Sequence, residues 1–94
     1  MDSAANRRHR RTPLVSPLFE PSDVDAALDV LALMDLSWHD CYQESAPSDA
    51  LVEDVLTIAA GDLAALARAA YLVVQDWRDV RVSADLRRSE AADE

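Results

Sequence analysis

From Ser22 to Glu94 the chain carries only two strong helix breakers, Pro47 and Gly61, and Gly61 is its only glycine. Pro13, Pro17 and Pro21 crowd together upstream. Long stretches without breakers that also keep a 3.6-residue apolar rhythm are amphipathic helices. Ser22 is a good N-cap with Asp25 three residues on. Val24, Ala27, Leu28, Leu31, Met34, Trp38 and Tyr42 then share one stripe, which predicts a helix over 23–43. A second helix is expected over 47–60. Pro47 would sit in its first turn, Ser45 or Ser48 would cap it, and Leu51, Val55 and Ile58 would form its stripe. Gly61 stands where a helix C′ residue belongs, and Asp62 can cap a third helix. The apolar stripe after Gly61 is rotated by roughly 80° from where an unbroken helix would carry it, which supports the break. The third helix is predicted over 62–88. Leu63, Leu66, Ala67, Ala70, Val73, Val74, Trp77, Val80 and Ala84 form its stripe, and SEAADE at the end is expected to fray.

The expectation is an all-α chain: a three-helix up-down-up bundle with a long third helix. Half the residues are hydrophobic, enough for a core, but only Phe19, Trp38, Tyr42, Tyr71 and Trp77 are aromatic. The core must therefore be mostly Leu, Val and Ala. At 1.5 Å per residue the second helix reaches about 20 Å and the third about 40 Å. Its neighbours cannot cover the third along its whole length. Its tail must unwind, pack on the upstream segment or meet another chain.

Residues 1–12 are polar and charged and are expected to form a disordered basic arm. Residues 13–21, PLVSPLFEP, are expected to be an extended proline-rich strap laying Leu14, Val15, Leu18 and Phe19 on the helices. The net charge of −9 is uneven. Four Arg and one Asp give residues 1–11 a net +3; five Arg against seventeen acids leave −12 in the remainder. An acidic body repels nucleic acid and anionic lipid at long range, so neither is an expected partner. One cysteine, Cys41, allows no internal disulfide and fits a reducing cytosol. No apolar run approaches the roughly 18 residues of a membrane span. The arginines near the start precede no apolar segment of a secretory signal. A cytoplasmic location is expected. All nine basic residues are Arg, as GC-rich codons would give, which suggests a bacterial gene.

No motif here brings an acid, base or nucleophile together. His39 and Cys41 in Trp38-His39-Asp40-Cys41-Tyr42 point about 200° apart on a helix, so they do not readily share an ion or a proton. Trp38, Cys41 and Tyr42 are expected to pack, with His39 and Asp40 facing solvent. Structural zinc needs more ligands than the chain offers. No P-loop, dinucleotide fingerprint, HExxH or paired CxxC occurs. No catalytic residue, metal or cofactor is expected, and no enzyme.

Asp35 and Arg81 are charges inside apolar stripes, where an unpaired charge is costly. Each is expected at a stripe edge or in an ion pair, with each other or with another partner. Arg81 and Asp85 also have i,i+4 spacing. Leu33, Leu36, Tyr71, Leu72, Val82 and Leu86 lie off the stripes, and so many on a small domain suggest a second contact surface. The expected function is a protein–protein interaction or accessory module, a homodimer or a small subunit. The alternative is a regulator that contacts nucleic acid through the Arg arm or mimics it through the acidic body.

Overall fold

The computed structural model describes residues 3–92. Its elements are α1 (Ala4–Val15), a 3-10 turn (Pro21–Asp23), α2 (Val24–Tyr42), α3 (Asp49–Ala59), α4 (Leu63–Gln75) and α5 (Trp77–Ala92). The all-α class holds, with no strand among the described residues. The three-helix count does not: five α-helices are present among them. One extra helix comes from the arm, the other from a break in the expected third helix.

The disordered arm is the larger correction. Within the described residues it is α1, capped by the Ser3 hydroxyl, which accepts from the Asn6 N–H at 3.1 Å. Residues 1–2 of that arm lie outside the described residues. Pro13 sits inside α1, so no extended segment begins there. Proline removes one helical hydrogen bond, the one to the His9 carbonyl. His9 is exposed and the helix ends two residues after Pro13, so the loss is confined to a solvent-facing last turn. The strap is thus reduced to a short turn. Of its four apolar residues Val15 and Phe19 enter the core, whereas Leu14 and Leu18 stay exposed.

Ser22 does not cap α2. It lies in the 3-10 turn, and the N-cap is Asp23, whose side chain makes no capping bond. Of the other caps Asp62 stands where expected, and Ser48 rather than Ser45 caps α3, which leaves Pro47 outside the helix instead of in its first turn. The Ser48 hydroxyl accepts from the Leu51 N–H at 3.3 Å, so α3 starts at Asp49 and Pro47 precedes it. Asp62 Oδ1 accepts from the Ala64 N–H at 3.1 Å and opens α4. Between them Ala60 and Gly61 are both left-handed, with φ of 49° and 82°.

Gly61 is required twice over. Its φ suits a residue without a Cβ. A Cβ there would also stand 2.5 Å from the Leu18 carbonyl oxygen, so the turn after α1 lies directly on the turn after α3. Backbone cannot yield as a side chain can. Gly61→Ala is therefore expected to cost about 1–3 kcal/mol, read as a lower urea midpoint with an unchanged slope.

The expected third helix breaks at Asp76, whose backbone is extended at φ −153° and ψ 83°. Asp76 Oδ1 then accepts from the Asp79 N–H at 3.3 Å, an N-cap for α5. Val73, Val80 and Ala84 are all buried, so the apolar rhythm passes through the break undisturbed. The turn lets α5 fold over α3 instead of projecting, which resolves the length mismatch. The helix continues to Ala92, so Ser89 to Ala92 do not fray; residues 93–94 lie outside the described residues.

The bundle is centred on α4, which packs on α2, α3 and α5, while α1 packs on α2. A central helix needs small residues where neighbours approach, and Ala69 and Ala70 supply them. The core joins Leu31, Met34 and Trp38 of α2, Val52 and Val55 of α3, Leu66 and Val73 of α4 and Val80 of α5. Burying one such side chain fully contributes about 1.5–3 kcal/mol.

Candidate functional site

Asp35 is buried as an ion-pair centre, and its partner is not Arg81. Two arginines of α1 converge on it. Arg11 holds it bidentately, Nη1 to Oδ2 at 2.8 Å and Nη2 to Oδ1 at 2.9 Å. Arg7 Nε donates to Oδ2 at 3.1 Å. Arg7 and Arg11 are buried, spaced i,i+4 with Val15 one turn further on, so α1 carries one inward face. Its flanking arginines reach other acids: Arg8 Nη1 is 2.8 Å from Asp29 Oδ1, and Arg10 Nη2 is 3.7 Å from Asp49 Oδ1. The +3 segment is thereby spread over the acidic body. Beside this cluster lies a cavity of about 350 Å³ lined by Arg7, Arg8, Arg11, Asp35, Leu36 and His39.

Arg81 pairs instead with Asp54, an acid within the apolar stripe of α3. Asp54 is buried on α3, and its Oδ1 lies 2.8 Å from Arg88 Nη2. Its Oδ2 makes no hydrogen bond and lies 3.5 Å from Arg81 Nε. The hydrogen bond to Asp54 holds the Arg88 guanidinium above its ordinary pKa. The expected Arg81–Asp85 pair is absent; Asp85 pairs with Arg88 at 3.1 Å. Asp54 was legible in principle. It stands three residues after Leu51 and four before Ile58, within the stripe of α3.

His39 and Cys41 are both exposed, so Cys41 does not pack as expected. Trp38 and Tyr42 do, with ring centroids 4.2 Å apart. No group of three or more His, Cys, Asp or Glu among the described residues could hold a metal. Among the described residues no helix is long and apolar enough to cross a membrane.

The six off-stripe apolar residues do not form one surface. Leu72 is half-buried against the core. Val82 and Leu86 are exposed an i,i+4 step apart on α5. Leu36 faces the arginine-lined cavity. Leu33 and Tyr71 belong to one feature: both flank a groove of about 320 Å³ between α2 and α4. Its floor is Val30, Met34, Ala67, Ala70 and Val74, with Ser37 and Gln75 as its polar members. Leu33 is 63% and Tyr71 68% exposed, so two large apolar side chains stand in solvent at the lips of an apolar channel.

Comparison of the chain with protein-family models, with curated proteins and with solved structures gives no match.

Proposed function

We propose that the chain is a helical interaction module that pairs with a second copy of itself through the groove between α2 and α4. The observation that carries this is the convergence of exposed Leu33 and Tyr71 on one apolar channel. A two-fold axis along the channel lays α2 of one protomer on α4 of its partner. Each Leu33 then enters the other's groove, a self-complementary contact. Charge favours this alignment over α2 against α2. At 100° per residue Asp40 lies within about 20° of Leu33, and Arg68 within about 60° of Tyr71. The alignment brings Asp40 to the side of Arg68 of the second copy, whereas α2 against α2 sets Asp40 against Asp40; Asp29, on the same face, is already paired with Arg8.

The alternative reading, an Arg arm gripping phosphate, draws less support. Arg8, Arg10 and Arg11 have carboxylate partners on the chain, and Arg11 is buried. A nucleic acid would have to displace those pairs.

The test is mass in solution. Light scattering should give twice the chain mass for the wild type. Leu33→Asp with Tyr71→Asp should give the single-chain mass, at least about a hundredfold weaker pairing, and an unchanged helical circular-dichroism spectrum. Both residues are exposed, so the fold is preserved. A wild-type protein that stays monomeric at high micromolar concentration would falsify the pairing.

A further inference from the structure

A second cavity, of about 420 Å³, opens at the end of the bundle where α2 stops, α3 starts and α4 turns into α5. Its walls include Trp38, Tyr42 and Trp77, three of the chain's five aromatic residues. Glu44 stands beside them, in the loop between α2 and α3. We propose that this cavity binds a small quaternary ammonium compound, with the Tyr42 and Trp77 rings beside the methylated cation, Glu44 as its counter-charge and buried Trp38 backing Tyr42 and holding Glu44.

The walls are held in place from several sides. The Tyr42 hydroxyl donates to the Val74 carbonyl at 2.8 Å, tying its ring to the end of α4. Trp38 is buried, and its Nε1–H donates to Glu44 Oε1 at 3.3 Å, which keeps that carboxylate at the wall. Trp77 is the first residue of α5, set there by the Asp76 break. One face of its ring is already taken by a cation, the Arg78 guanidinium carbon lying 5.2 Å from the centroid, so a ligand would have to use the other face.

The chemistry of the lining selects the ligand. Aromatic faces carry negative potential and attract cations. A metal ion or a primary ammonium wants several oxygen acceptors, and this cavity offers one carboxylate. A quaternary ammonium spreads its charge over methyl groups that donate no conventional hydrogen bond, so rings suit it better than oxygens do. Glu44 forms no ion pair among the described residues, and its charge is available. Arg81 also borders the cavity; its Nε lies 3.5 Å from Asp54 Oδ2 on α3, which draws its charge toward that side. The net charge of −9 favours a cationic ligand at long range.

Both tryptophans of the chain line this cavity, so tryptophan fluorescence has no reporter elsewhere. Choline titrated into the full chain at constant ionic strength should give a saturable change with a half-point on the order of millimolar. The neutral isostere, with carbon in place of the quaternary nitrogen, should give none. Trp77→Leu should weaken choline about tenfold and Glu44→Gln a few-fold, while Tyr42→Phe, which keeps its ring, should bind. Glu44 is exposed, so Glu44→Gln tests the site even if Trp77→Leu unfolds. An isostere as effective as choline, an unchanged affinity in Glu44→Gln, or a signal that merely tracks salt overturns the proposal. So does a response to phosphatidylcholine vesicles without one to free choline. None of these readouts depends on whether the chain pairs through the groove between α2 and α4.

Discussion

Asp35→Asn should destabilise the protein by about 3–5 kcal/mol and release α1 from the bundle. Asp35 is the shared anion for Arg7 and Arg11, and all three are buried. The amide has nearly the shape of the carboxylate, so no cavity is created. What disappears is the charge that the desolvated Arg11 guanidinium grips with both of its terminal nitrogens. An arginine does not shed its proton to escape, because its pKa lies far above any working pH. The cavity beside the cluster admits some water, and loosening of α1 from α2 completes the rehydration. Helix α1 has little else to hold it, since its buried residues are Arg7, Arg11 and Val15. A domain of this size has about 5–15 kcal/mol of stability in all, so the loss is a large share. Urea unfolding measures the energy. Trypsin measures the mechanism, because cleavage after Arg7, Arg8, Arg10 and Arg11 should accelerate well before the core unfolds.

A companion variant separates charge from packing. Replacing Arg7, Arg11 and Asp35 together with Met, Leu and Leu removes the buried charges as a set. Buried ion pairs bring little net stability over apolar residues of similar volume, because desolvation offsets their attraction. The triple variant should therefore recover most of the loss and keep α1 resistant to trypsin. If Asp35→Asn is as stable as the wild type, α1 is not held by this cluster.

The cluster beneath α1 also marks where the sequence was legible and where it was not. Elements governed by local rules could be read directly. The break at Gly61 and the cap at Asp62 depend on neighbouring residues and stand where the sequence placed them, and Ser48 is one of the two serines offered for α3, whereas the Ser22 cap, read by the same rule, is not formed. Helix α1 could not be read that way. Its polar composition resembles a tail, and it becomes a helix because Arg7 and Arg11 find Asp35 twenty-eight and twenty-four residues away. The signal was split between an i,i+4 arginine pair and a carboxylate in a distant stripe. The break at Asp76 was hidden for the opposite reason. The 3.6-residue rhythm survives it, so only the aspartate at position 76 and its spacing to Asp79 gave notice. Leu33 and Tyr71 were legible as off-stripe residues, but that they share one groove depends on α2 and α4 being neighbours.

The second large effect is expected at Asp54, and it should be asymmetric. Asp54 is buried, with its side chain 3% exposed, whereas the Arg81 and Arg88 side chains are 49% and 44% exposed. Removing the arginines strands a carboxylate in the core. Removing the carboxylate leaves two arginines that water can reach. Arg81→Met with Arg88→Met should therefore cost about 3 kcal/mol, the lower end of the range for an orphaned buried charge. Asp54→Val should cost no more than about 1 kcal/mol, because the exposed guanidiniums rehydrate. Hydrogen exchange should locate the damage. Protection should fall first across α5, which has only Val80 and Ala84 fully buried besides these ion pairs. Combining Asp54→Val with the two Arg→Met changes should restore the loss, since no buried charge then remains. Equal costs for the two single-sided variants would mean that the arginines are as desolvated as the aspartate. In that case α5 would be held to α3 by a closed ion-pair cluster like the one beneath α1, and not by a half-solvated clasp.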